Sequence, residues 1–62
     1  MSKENIIKTI EAIDEYVKQN EEFITTHNSE DVMILHLTTK MLKDARKMWT
    51  DMLLYEYGVF YV

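Results

Sequence analysis

The 62-residue chain predicts an all-α fold, an antiparallel helical hairpin that dimerises into a four-helix bundle. Three observations carry that expectation. Apolar residues recur at alternating steps of three and four in both halves of the chain, the spacing of amphipathic helices. A single polar, β-branched stretch, Thr25-Thr26-His27-Asn28-Ser29, interrupts them. The apolar stripe of the second half is too broad for one partner helix to cover. The layout expected is one domain, with a helix over about 3–25, a turn over about 26–29, a helix over about 30–57 and an apolar tail at 58–62.

The first helix opens at Ser2, whose hydroxyl oxygen can accept an early backbone N–H. Ile6, Ile10, Ile13, Val17 and Ile24 then form a heptad-like seam, with Asn20 in the gap. Ile7, Tyr16 and Phe23 widen the seam, and Glu11, Glu15, Lys18 and Glu22 form the solvated ridge opposite. Asp14 precedes Lys18 by four residues, the favourable order for a helical ion pair. Asn20 has two readings, a polar seam residue that sets register or a solvent-facing residue near the turn.

Asn28 or Ser29 is expected to cap the second helix, with Glu30 and Asp31 near its positive end. Its apolar positions fall on three ridges: Ile34, Met41, Met48 and Tyr55; Leu35, Leu42 and Trp49; Thr38, Ala45 and Met52. Lys40, Lys43 and Lys47 lie on the far side. Gly58 follows where a left-handed residue would stop the helix. The tail, Val59-Phe60-Tyr61-Val62, is apolar and β-favouring but too short to be a strand by itself.

Composition bounds the function. A chain this short buries a small share of its surface and needs a disulfide, a metal or a partner. It has no cysteine, so no disulfide and no thiolate metal site. His27 and His36 lack a convincing ligand set. Oligomerisation or very good helix packing is the remaining stabiliser; a homodimer is expected, with a third short helix or a hetero-partner as the other solutions. Net charge is −4, which argues against free nucleic-acid binding. The charge is uneven: residues 1–31 carry three Lys and eight acids, residues 32–62 four Lys or Arg and three acids. No apolar run approaches a membrane span. Ser2, Lys3 and Glu4 follow Met1 in place of an apolar leader, so the cytoplasm is the expected location. Ile, Lys, Asn and Tyr are common while Ala and Arg are rare and Pro is absent, a composition resembling that of a low-GC bacterium or its phage.

Catalysis finds no support. The chain lacks a glycine-rich phosphate loop, a cysteine nucleophile and a nucleophile elbow. Glu11 and Glu15 lie on the solvated ridge, without the desolvation that tunes acid–base groups. No cofactor and no small-molecule substrate are expected. The reading is a small non-enzymatic protein–protein interaction module, a phage-encoded or low-GC bacterial regulator or inhibitor that binds a host protein. Ile34, Leu35, Met41, Leu42, Met48, Trp49, Met52 and Leu53 are expected to hold the dimer, with Trp49 the dominant anchor. Phe60 and Tyr61 are the expected outward contact. Met33, Met41, Met48 and Met52 supply pliable surface or simply fill a core. The alternative is a dimeric nucleic-acid-binding regulator using Lys40, Lys43, Arg46 and Lys47. A helix-turn-helix ranks below it, since the connection has no glycine and the helices are long. Mimicry of DNA by Glu11, Asp14, Glu15, Glu21 and Glu22 is weaker still, given the lysines among them.

Overall fold

The computed structural model describes residues 2–27 and 30–61. Helix α1 (Lys3–Thr26) and helix α2 (Asp31–Tyr57) form an antiparallel hairpin about 42 Å long and 18 by 14 Å across. No strand occurs among the described residues.

The helix ends follow local chemistry. Ser2 is extended, and its Oγ accepts the Asn5 N–H at 3.2 Å. At the far end, Thr25 and Thr26 donate their hydroxyls to the Glu22 carbonyl at 2.8 and 3.1 Å. Such side-chain bonds compete with the helical ladder. His27 then leaves the helix in extended geometry, its N–H donating to the Phe23 carbonyl at 3.0 Å and its ring stacked on Phe23 at 3.7 Å. The expected caps of α2, Asn28 and Ser29, lie outside the described residues. Glu30 occupies the N-cap position without a side-chain cap bond. Gly58 ends α2 at φ 66°, donating its N–H to the Leu54 carbonyl at 2.8 Å. A left-handed residue there is what a glycine tolerates and other residues resist.

Helix α1 buries the seam its spacing predicts. Ile6, Ile10 and Ile13 are buried, and Val17, Asn20 and Ile24 continue the line half-buried. Helix α2 turns a different stripe inward than expected. Its buried line is Val32, Leu35, Thr39, Leu42, Arg46, Trp49 and Leu53, again in steps of three and four. The ridge of Thr38, Ala45 and Met52 sits beside this line, and the ridge of Ile34, Met41, Met48 and Tyr55 stays in water. Two helices share only one strip of contact, so a stripe three ridges wide cannot all face one neighbour.

The tightest packing lies at the open end. Ile6, Ile10 and Leu53 have no accessible surface, and Ile7, Trp49 and Met52 pack against them. The tail closes this end from the same chain. Val59 and Tyr61 pack on the cluster while Phe60, between them, is 77% exposed. This is the period-two alternation of extended chain.

Candidate functional site

The two broad faces of the hairpin differ in chemistry. One carries cross-helix ion pairs. Arg46 Nε donates to Asp14 Oδ1 at 2.6 Å, and its Nη2 reaches Oδ2 at 3.5 Å. The Arg46 guanidinium also lies 5.7 Å from the centre of the Tyr61 ring. A planar cation suits both contacts. Further toward the turn, Lys43 Nζ lies 3.6 Å from Glu21 Oε2. A groove of about 380 Å³ runs along this face, lined by Glu21, Ile24, Thr25, His36, Thr39, Lys40 and Lys43. At its floor Thr39 is buried, and its hydroxyl has no hydrogen-bond partner.

The opposite face carries no charge along its two central rows, and Asp31 stands at its turn end. On α1 it is the row Asn5, Thr9, Ala12, Tyr16, Gln19 and Phe23, in steps of four and three. On α2 it is the row Ile34, Thr38, Met41, Ala45, Met48, Met52 and Tyr55, in the same steps. Each row lies about a quarter-turn from its helix's buried seam, by helical geometry of 3.6 residues per turn. The hairpin brings the rows side by side, and a groove of about 510 Å³ between them is lined by Gln19, Asn20, Phe23, Asp31, Ile34 and Leu35. Thirteen positions thus lack charge in a chain with seven basic and eleven acidic residues. The side chains there are far from buried: Tyr16 61%, Ile34 63%, Met41 71%, Met48 57% and Tyr55 84% exposed. The chain's accessible surface is 4867 Å². A compact monomer of this mass exposes about 4,200 Å².

No family model, no curated protein and no solved structure matches this chain.

The residues expected to hold a dimer separate into three groups. Ile34, Met41 and Met48 stand on the charge-free face with most of their surface in water. Leu35, Leu42 and Trp49 are half-buried on the seam of the hairpin contact, and Met52 is half-buried beside it. Leu53 departs from the expectation: it has no accessible surface, because it fills the space between Ile6 and Ile10. It is core, and can touch no second molecule. Tyr61 is half-buried beneath Arg46, and Phe60 is the more outward side chain of the tail.

The basic set is not a free patch either. Arg46 is committed to Asp14, and Lys43 pairs with Glu21. Lys40 and Lys47 are exposed. Among the described residues, no three His, Cys, Asp or Glu converge as a metal site would require, and no helix is long and apolar enough to cross a membrane.

Three features escaped the sequence reasoning. The Asp14–Arg46 pair was legible from hairpin register, but Asp14 also has Lys18 four residues on. Thr39 as a core residue was signalled by its place between Leu35 and Leu42. The α1 row was hidden because it is only partly apolar; its signal is the absence of charge.

Proposed function

We propose that this chain is a non-enzymatic interaction module that joins another protein surface through its charge-free face. The observation that carries this is the exposure of Ile34, Met41, Met48 and Tyr55 in an uncharged row on a chain otherwise rich in charge. Exposed apolar patches of several hundred Å² are uncommon on monomers and mark interaction sites. The module is best read as a cytoplasmic regulator or inhibitor, of phage or low-GC bacterial type, with a host protein as its target. Phe60 is a second contact, held outward by the anchored Val59 and Tyr61.

The ion pairs weigh against the nucleic-acid reading. An arginine locked to a carboxylate contributes little to phosphate or base contact. The test compares wild type with Met41→Glu/Met48→Glu. These side chains are exposed, so the hairpin keeps its helix content while association with protein is lost. Circular dichroism checks the first point; sedimentation and capture from host extract check the second. Unaltered association by the double variant sinks the reading. So does retention of duplex DNA or RNA at low salt with a steep salt slope.

A further inference from the structure

Resting on that reading, we infer that the occupant of the charge-free face is a second copy of this chain. It is seated with its two-fold axis along the helices, so that α1 of each copy packs on α2 of the other.

Size is the first argument. Side chains such as Tyr16, Ile34, Met41, Met48 and Tyr55 leave roughly 100 Å² each in water, so with Phe23 and Met52 the face offers about 700 Å², close to the about 800 Å² that each partner gives to a standard interface. Each helix also carries two mainly apolar or uncharged seams about a quarter-turn apart, interrupted on the hairpin side of α2 by Arg46, the pattern of a helix with two neighbours in a bundle.

Shape is the second. In the hairpin, Asp14 meets Arg46 and Glu21 meets Lys43, so residues at one height have numbers adding to between 60 and 64. An axis along the helices preserves height. It therefore sets Tyr16 against the partner's Ala45, Ala12 against the partner's Met48, Thr9 against the partner's Met52 and Phe23 against the partner's Thr38. Large meets small at these four layers, with Gln19 against the partner's Met41 lying among them, and such alternation is how facing helices interdigitate. An axis across the helices places Met41 on Met48 and Ile34 on Tyr55 between two α2 helices. By the same heights the two α1 helices would then meet with Tyr16 on Tyr16, adding another large-on-large contact near the axis.

Charge is the third. The outer flank of the α1 row carries Lys8, Glu11, Glu15 and Glu22; that of the α2 row carries Lys40, Asp44, Lys47 and Asp51. Packing α1 on the partner's α2 brings Glu15 beside Lys47 and Glu22 beside Lys40, two attractive pairs set against one repulsive pair, Glu11 beside Asp51. Packing α1 on α1 brings the glutamates together. Exposed pairs of this kind add little affinity but select the arrangement.

The absence of cysteine makes the test direct. Ala12→Cys and Met48→Cys chains, mixed and oxidised, should cross-link about tenfold more than either alone, because a disulfide needs Cα atoms within about 7 Å. Ala45→Cys alone should stay unlinked, and the wild-type chain should sediment as a dimer at micromolar concentration. Self-linking of Ala45→Cys overturns the inference in favour of the crosswise dimer. A wild-type chain that remains monomeric overturns it altogether. Capture of a host protein that is lost in Met41→Glu/Met48→Glu would then leave the interaction reading standing without the second copy.

Discussion

The ion-paired face and the charge-free face of this hairpin are built from the same two helices, yet only one is completed within the chain. On the first, Asp14 and Glu21 of α1 find Arg46 and Lys43 of α2, and Tyr61 of the tail lies under the arginine. On the second, α1 offers Tyr16 and Phe23 and α2 offers Ile34, Met41 and Met48, with little between them. A pair of helices can satisfy opposite charges across its margin because long polar side chains reach sideways. Short apolar side chains cannot, and need atoms placed above them. The charges thus determine which side of the hairpin is finished and which is left for another molecule.

Removing the core beneath both faces should have the largest effect. Leu53→Ala takes a side chain with no accessible surface out of contact with Ile6 and Ile10. Such truncations cost about 2–5 kcal/mol. A chain of this size has little more to lose, so the variant should be largely unfolded by circular dichroism in buffer. A cooperative melt within a few degrees of wild type would show that the open end is not where stability resides.

Next in size is damage confined to the ion-paired face. Arg46→Ala loses the bidentate bond to Asp14 and the stack on Tyr61. The pair is part-exposed, so solvent screening limits its worth to about 1 kcal/mol. Arg46→Lys should recover less than half, since an ammonium matches neither the carboxylate nor the ring as a planar cation does. Urea melts measure both. Sedimentation should be unchanged in each variant once folded, and a change there would mean that the two faces are coupled.

Gly58→Ala probes the tail that closes the open end of the hairpin. Nothing lies near the added methyl, so any cost is conformational. At φ 66° that cost is about 1 kcal/mol. The Tyr61 ring should be less ordered against Arg46, which tyrosine fluorescence or ring NMR shifts would report. An unchanged melt would mean that the helix end relaxes freely.

The hairpin itself was legible because it rests on spacing. Ile6, Ile10 and Ile13 announced one seam, Ser2 and Gly58 the ends, and the polar run near His27 the break. What escaped was rotation. Periodicity shows that α2 is apolar over three ridges but not which of them turns inward, since that depends on what α1 presents across the gap. Arg46 decides much of it. As a lone sequence position it counts as a basic residue on an outer face; opposite Asp14 it becomes part of the contact, and Leu53 follows it into the core. The charge-free face was half legible for the same reason. Ile34, Met41 and Met48 stood out by hydrophobicity, whereas Asn5, Thr9, Ala12 and Gln19 differ from ordinary surface only in carrying no charge.

One expected effect of similar size is a gain. Thr39 sits on the buried seam of α2, at the floor of the groove on the ion-paired face, with its hydroxyl unpartnered. A buried hydroxyl without a partner loses its hydration and gains nothing in return. Val is the same shape with a methyl in its place, and its helix propensity is close to that of Thr. Thr39→Val should therefore stabilise the chain by about 1 kcal/mol, a rise of about 4–8 °C in melting temperature for a domain this small. Thr38→Val makes a useful control. The Thr38 hydroxyl donates to the Ile34 carbonyl at 2.9 Å and its side chain is exposed. That substitution should leave the monomer's melt unchanged while adding apolar surface to the uncharged face. A loss of stability in Thr39→Val would mean that the hydroxyl is satisfied in solution, and that the groove on the ion-paired face admits water to its floor.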